Sequence, residues 1–360
     1  MSTLTAPEGY LVLEDGTEYR GLSFGFPRSS AGEVVFNTGM VGYPESLTDP
    51  SYFGQILVFT FPLIGNYGVP EDTVLDNLSK RFESDKVNVS GLIVSDYSEN
   101  YSHWNAAKSL SQWLNEHQVP ALCGIDTRAL TKNLRTKGTM LGKLVLNNDD
   151  IDFYDPYSEN LAGKVSLSQP ILYGSGGRRI CVVDCGCKHN IIRSLLKRGC
   201  EVLRVPWNYD FTHAEQFDGV IISNGPGDPQ TCPPTIQNIR QMYSRDIPVF
   251  GICLGNQLMA LAAGASTYKL KYGHRSQNQP VIEAGTNRCL VTSQNHGFAV
   301  DSNSLPSDWK PWFVNLNDQT NEGIKHISGR FFSVQFHPEA SPGPVDADYL
   351  FDEFLKVVWG

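Results

Sequence analysis

The hydrophobic pattern of the chain changes near its middle. From Tyr10 to about Leu146, short β-rich apolar stretches at 11–13, 33–37, 55–60 and 89–94 are separated by Gly and Pro. Runs of this kind bounded by turn residues predict strands. Residues 105–117 place Ala106, Leu110, Trp113 and Leu114 at helical spacing and predict a helix. Residues 126–136 predict a second helix, with Asp126 or Thr127 as its cap, because a side-chain oxygen there accepts an orphan backbone N–H. Residues 147–177 are polar and irregular and end in Tyr-Gly-Ser-Gly-Gly, the composition of a flexible linker. No Lys-Ser/Thr pair follows those glycines, so the segment is not a P-loop.

From Arg179 onward, strands and helices alternate. Strands are predicted at 180–183, 201–205, 219–223 and 247–252, and helices at 190–197, 235–244 and 254–263. Short apolar strands between helices imply an α/β domain whose mostly parallel sheet is covered on both faces. In such folds, active sites gather beyond the carboxyl ends of the strands. The organisation read from the pattern is a smaller β-rich α+β domain at 1–146, a linker at 147–177 and an α/β domain at 178–360.

Composition adds bounds. At about 150 residues per domain, 360 residues agree with two or three domains. A charged fraction of 19% with 41% hydrophobic residues excludes a disordered, charge-rich chain. The formal charge of −9 argues against a dedicated nucleic-acid binder, which needs a basic patch. Apolar runs fall short of the ~20 residues of a membrane span. The first residues lack the marks of a signal or transit peptide. The expected location is therefore cytoplasmic, or the mitochondrial matrix if a transit peptide has been removed. Eight cysteines, at 123, 181, 185, 187, 200, 232, 253 and 289, are expected to be free thiols of a reducing compartment. The spacing of Cys181, Cys185 and Cys187 is not a zinc pattern. In a strand from Arg179 the three would share one face as buried core thiols.

The sharpest chemical signal is Gly251-Ile-Cys253-Leu-Gly255 between an apolar strand and a helix. This is the cysteine form of a nucleophile elbow, whose tight turn needs small neighbours. A thiol there feels the positive end of the helix dipole, which favours thiolate, and the Leu254 N–H points where an oxyanion would form. A thiol nucleophile needs a base. His337, in Phe336-His-Pro-Glu339, is the best candidate, with Glu339 placed two residues on to hold the imidazole tautomer. His296, in Asn295-His-Gly297-Phe298, competes but has no acid at that spacing, and a structural role suits it better. The loop Ser223-Asn-Gly225-Pro-Gly227-Asp-Pro follows an apolar strand, and its glycines let backbone approach a ligand closely.

Taken together, Cys253 in G-I-C-L-G-N-Q, His337 and Glu339 in F-H-P-E, and the S-N-G-P-G-D-P loop resemble a class I, triad-type glutamine amidotransferase. The first half narrows the resemblance. The stretch from Glu33 to Tyr52, Phe61-Pro-Leu-Ile-Gly-Asn-Tyr-Gly68, Ile125-Asp-Thr-Arg128 and Ser341-Pro-Gly-Pro are similar to the carbamoyl-phosphate synthetase small (glutaminase) subunit, or to the equivalent region of a fused synthetase. The resemblance implies that Cys253 attacks the carboxamide of glutamine, that His337 is acid and base, and that Glu339 orients it. It implies an oxyanion hole at Gly225 and Leu254. It implies glutamine contacts at Ser51, Gly227, Gln257, Asn295, Gly297 and Phe298. Ammonia would pass through a tunnel to a synthetase partner that binds ATP and bicarbonate; this chain would need no cofactor, metal, nucleic acid or membrane.

Position 256 is Asn where many relatives have His, and 272–280 varies around the expected pattern. Residues 205–211, 314–324 and the Gly-Asn at 255–256 resemble the animal type, which includes fused pyrimidine-pathway and urea-pathway synthetases. Some urea-pathway members have lost the nucleophile and use free ammonia; the Cys253 of this chain implies glutamine. Three other readings compete: a glutaminase serving an anthranilate- or guanylate-type synthetase, a catalytically weak or inactive regulatory domain, and a plain cysteine hydrolase of γ-glutamyl compounds.

Overall fold

The computed structural model describes residues 7–75, 77–212, 217–245 and 247–360. The chain divides into two compact units, one ending at Ser158 and the other running Glu159–Gly360.

The first unit is built on a closed seven-stranded barrel. Around it run Glu8–Leu13, Met140–Leu146, Ser30–Asn37, Gln55–Phe59, Gly91–Ile93, Ala121–Cys123 and Glu18–Ser23, which pairs back with the first strand. The alternation of Met140–Leu146 is the period of a half-buried strand: every second residue is buried. Gln55–Phe59 is buried throughout, because it is parallel to both neighbours and covered on both faces. The helix Leu110–Glu116 lays Leu110, Trp113 and Leu114 onto a cluster with Val35, Leu57 and Leu92.

The helix expected over 105–117 is shorter than its spacing implies. Ala106–Lys108 is a strand paired with Val69–Pro70, and the helix starts only after Ser109, whose hydroxyl accepts from the Gln112 N–H at 3.1 Å. The cap, not the apolar spacing of Ala106, sets the boundary. The second helix is Thr127–Lys137, and Asp126 is its cap, accepting from Ala129 N–H at 2.8 Å. Glu33 is a buried carboxylate of this unit. It accepts from Gln55 (3.0 Å), Thr139 (2.8 Å) and Tyr157 (2.6 Å), so neutral donors from three separate segments converge on it.

The second unit contains a ten-stranded sheet. Its centre is five parallel strands in the order Glu201–Pro206, Arg179–Asp184, Gly219–Ile222, Val249–Ile252 and Phe331–Val334. Beyond Phe331–Val334 an antiparallel wing continues through Asn321–His326, Trp309–Asn315, Thr267–Glu283 and Cys289–Val300. The apolar pattern anticipates the parallel centre and its helices but not this wing, whose strands mix buried polar and exposed residues. One face of the centre is covered by Pro233–Tyr243 and Leu254–Ala263, through Ile239, Met242, Leu258 and Met259. On the other, Phe250 packs tilted or edge-on against Phe351 and Phe354 of the helix Tyr349–Trp359, and Phe332 packs edge-on against Phe354. Among the described residues, no helix is long and apolar enough to cross a membrane.

The segment 147–177, expected as a linker, carries the helix Leu161–Val165, capped by Asn160, and the strand Ile171–Tyr173, which pairs with Glu201–Pro206. The three clustered cysteines are free and buried, but they do not share a strand face. The strand ends at Asp184, and Cys185 and Cys187 lie in the turn beyond it. The Asp184 carboxylate makes that turn by accepting from the N–H groups of Gly186 and Cys187.

Glu33→Ala removes the common acceptor of three donors, of which Gln55 is buried and Thr139 and Tyr157 are partly buried. We expect it to destabilise the first unit by about 3 kcal/mol, because three hydrogen bonds to one buried carboxylate are lost. Urea unfolding followed by tryptophan fluorescence measures this; a change under about 0.5 kcal/mol would show that the donors find other acceptors.

Candidate active site

The site is assembled by strand register. Val249–Ile252 lies parallel to Phe331–Val334, with Ile252 opposite Val334. Both strands therefore end at the same level, and the residues that follow them emerge side by side. Cys253 comes first after one strand, and its N–H donates to Val334 O at 2.8 Å. Cys253 has φ 54° and ψ −101°, a conformation that L-residues avoid, and the helix Leu254–Ala263 starts at the next residue. Strain of this kind persists only where the surroundings enforce it. Here the flanking glycines do so. A Cβ on Gly255 would lie 2.2 Å from Ile222 O, and one on Gly251 would lie 2.7 Å from Gly255 C. The backbone on both sides of Cys253 is packed too closely for any side chain.

Three residues after Val334 comes His337. Its N–H donates to Ser293 O at 2.9 Å, in an isolated bridge to the strand Cys289–Val300. A turn closed by Ala340 N–H to His337 O then brings Glu339 to Nδ1 of the ring. Glu339 Oε1 lies 2.6 Å from His337 Nδ1. The carboxylate can only accept from Nδ1–H, which leaves Nε2 as the nitrogen not held by Glu339. Nε2 is buried with no hydrogen-bond partner of ordinary geometry. The Cys253 sulfur is nevertheless near enough to act on the ring electrostatically.

Burial opposes charge on His337, but the Glu339 carboxylate and Cys253 outweigh it and hold the imidazole well above its ordinary pKa. Burial likewise opposes charge on Glu339, and Lys188 and His337 overcome it, holding the carboxyl below its usual range. Lys188 Nζ is 3.2 Å from Glu339 Oε1 and also donates to Ala340 O, and the Asn190 amide donates to Glu339 O. Lys188 and Glu339 are both buried. No sequence pattern marked Lys188; it stands just before the helix His189–Lys197, in a turn remote in sequence from His337.

The other expected site residues fall into three groups. Leu254 opens the helix after Cys253, so its N–H belongs to the donors that no helical carbonyl can satisfy. Gly225 packs beside it: a Cβ there would meet Leu254 Cδ2 at 2.9 Å and Cys185 O at 2.0 Å. Gly227 has φ +93° and lies against Leu161. Asn295, Gly297 and Phe298 lie on Cys289–Val300, and the Asn295 carbonyl is 3.6 Å from the Cys253 sulfur. Gln257 is buried, with its amide N–H groups given to Phe298 O (3.1 Å) and Gln335 Oε1 (3.2 Å). Ser51 belongs to the first unit, buried in the turn Pro50–Tyr52, where its N–H donates to Asp49 at 2.9 Å.

His296 is occupied elsewhere. Its Nδ1 lies 2.8 Å from Phe298 O and its Nε2 3.1 Å from Gln294 Oε1. Burial, then the charge on His274, pushes its pKa well below the ordinary value. His274, His296 and Glu322 bring ligand atoms within 4.8 Å of one another, the spacing a metal ion would require. The His274 ring itself supplies positive charge there. It bonds Asp318 at 2.8 Å and lies 3.4 Å from Glu322. Burial opposes its charge, but these two carboxylates raise its pKa to about 9.

Residues 181–357 match the family model "Glutamine amidotransferase class-I", and residues 11–144 match "Carbamoyl-phosphate synthase small chain, CPSase domain". The mitochondrial carbamoyl-phosphate synthase (ammonia) of Homo sapiens is 54% identical over 99% of this chain, which spans 24% of that protein. The multifunctional protein CAD of Squalus acanthias is 55% identical over 96% of this chain, which spans 16% of it. This chain therefore matches about a quarter or less of these relatives' length. A solved glutamine amidotransferase of Thermotoga maritima is 22% identical, with a TM-score of 0.39, over 46% of this chain and 77% of its own. The chain belongs to the class I glutamine amidotransferases. Within that class it is of the carbamoyl-phosphate synthase type, since it also carries that family's small-chain domain.

Lys188→Met would leave the buried Glu339 with His337 as its one remaining cationic partner among those described. We expect a loss of about 3 kcal/mol in stability. A carboxyl with a depressed folded pKa stabilises above its unfolded value and loses that contribution as pH falls through the folded one. Without Lys188 the folded pKa rises, so acid unfolding of the variant should begin at higher pH than in the parent. An unchanged acid midpoint in a pH titration would sink this account of Lys188.

Proposed function

We propose that this chain hydrolyses glutamine to glutamate and ammonia and delivers the ammonia to a carbamoyl-phosphate synthetase. The observation that carries the reading is Cys253 on a strained elbow, in register with a buried His337–Glu339 pair. The Cys253 thiolate attacks the side-chain carbonyl carbon of glutamine. The Leu254 and Gly225 N–H groups receive the developing oxyanion. The C–N bond breaks as His337 Nε2–H gives its proton to the departing ammonia, leaving a γ-glutamyl thioester. His337, now neutral, takes a proton from water as the water attacks the thioester. Glutamate leaves, and the thiolate and imidazolium are restored. Glu339 stabilises the imidazolium throughout, and Lys188 keeps Glu339 ionised.

Gly227, Gln257, Asn295, Gly297 and Phe298 are assigned to holding glutamine. With its N–H groups committed to Phe298 and Gln335, Gln257 offers its carbonyl oxygen to the substrate's ammonium. The steps use only side chains and backbone N–H groups of this chain. ATP and bicarbonate belong to the synthetase partner, and the fused architecture of the CAD relative supports such an association. Identity to a mitochondrial synthase and to CAD makes the mitochondrial matrix and the cytoplasm the two proposed locations.

A second reading, a catalytically weak regulatory domain, draws on the human relative being named for ammonia. The charged, buried set around Cys253 supports glutamine use instead, because burying three ionisable groups for a purely structural role is costly.

Glutamine hydrolysis, measured for the parent and Cys253→Ala with and without the synthetase partner, tests the proposal. The parent should form glutamate, faster with its partner, and the variant should lose at least about 1,000-fold. No glutamate from the parent with its partner would establish the regulatory reading; rapid turnover indifferent to the partner would favour a plain hydrolase. In the pH dependence of kcat/KM, activity should persist through neutral pH and fall on the alkaline side as His337 loses its proton. A profile rising through the ordinary imidazole pKa would contradict a charged resting His337.

A further inference from the structure

The Cys253 sulfur has a further polar neighbour that the triad does not include. Gln335, fully buried between Phe331–Val334 and His337, points its amide at the sulfur, with Nε2 at 3.7 Å. The two ends of an amide look alike, so its orientation must be argued from its partners. Here the partners settle it. Phe298 O is a backbone carbonyl and can only accept, so the Gln257 atom facing it at 3.1 Å is nitrogen. That same nitrogen faces Gln335 at 3.2 Å, so the Gln335 atom there is oxygen. Asn256 Nδ2 donates to the same oxygen at 3.1 Å, and Asn256 Oδ1 accepts from the Ser333 hydroxyl at 2.8 Å. With its oxygen bound twice, Gln335 must turn its N–H toward the sulfur.

From this network we infer that Gln335 is a fourth member of the catalytic set, which donates an N–H to the Cys253 thiolate and so holds the nucleophile in its ionised form. The inference rests on the proposal that Cys253 is the nucleophile. On its other side the sulfur faces the Asn295 carbonyl at 3.6 Å, which accepts from a thiol S–H and repels a thiolate. Gln335 is the counterweight. A hydrogen bond to an ionised acceptor is stronger than one to its neutral form, so the contact favours thiolate. Position 256, which departs from the pattern of many relatives, has a defined part here: Asn256 supplies one of the two donors that lock the Gln335 amide.

Gln335→Met removes the donor at similar size. Gln335→Glu keeps the acceptor for Asn256 and Gln257 but offers no N–H, and it serves if the first variant fails to fold. Alkylation of Cys253 by iodoacetamide, followed across pH by peptide mass analysis, reads thiolate formation directly. In Gln335→Met the alkylation midpoint should move up by about one pH unit, the size expected for losing one charge-assisted bond, and in Gln335→Glu, whose carboxylate also repels the thiolate, by at least as much. The kcat for glutamine should fall about 10-fold with KM within about 2-fold, since the bond acts on the reacting sulfur and not on substrate binding. A parent-like midpoint in a folded variant overturns the inference, as does a rise in KM alone, which would make Gln335 a wall of the pocket. Cys253→Ala separates the two claims. If that variant retains turnover, the nucleophile is misassigned, yet the alkylation midpoints still report whether Gln335 acts on the sulfur.

Discussion

The second unit depends on one alignment, the pairing of Ile252 with Val334 across two parallel strands. Parallel strands that stop at the same level deliver the next residues of both to one place. Cys253 leaves one strand; Gln335 and His337 leave the other. A slip of one residue would turn every side chain of a strand to the opposite face. Phe250 and Phe332 prevent it, since Phe250 must meet Phe351 and Phe354, and Phe332 must meet Phe354, on one face of the sheet while Val249 and Phe331 pack on the other. The apolar core therefore sets the distance between Cys253 and His337, so residues remote from both decide the geometry of the site.

The cost of burying charge is met by alternation. Lys188, Glu339 and His337 form a row in which each charge has an opposite neighbour. Burial opposes the charged form of His337 and of Glu339, and in each the neighbours reverse it. Removing any member uncovers the next, so the row acts as a unit. The same logic recurs in the antiparallel wing, where His274 stands between Asp318 and Glu322. There the proton sits on the residue with two acids, and His296 beside it stays neutral.

What the sequence made legible was whatever local patterning controls. The G-x-C-x-G turn, the Cys253, His337 and Glu339 candidates and the strand–helix alternation after Arg179 are short-range features, and each is visible in a dozen residues. The Asp126 cap is equally local. Closure of the barrel is not, because it depends on Glu8–Leu13 meeting Met140–Leu146 across more than a hundred residues. Lys188 and Gln335 escaped for the same reason. Their roles come from partners distant in sequence, Glu339 for one and the trio Cys253, Asn256 and Gln257 for the other. The helix drawn from 105 failed where a capping serine outranked apolar spacing, and Cys185 and Cys187 left their expected strand because Asp184 binds the turn beyond it.

The barrel of the first unit carries one more implication. A sheet closed on itself has every strand flanked on both sides, so it has no free row of backbone donors and acceptors to lend. The barrel strands of this unit cannot capture a neighbour by adding a strand, nor spread by edge-to-edge pairing. Any recognition by the barrel falls to side chains, whose fit is particular where backbone pairing is promiscuous. For a chain whose relatives are long fused proteins, that is a safeguard: a barrel without an open seam can be tethered beside other folded units at high local concentration without zipping into them.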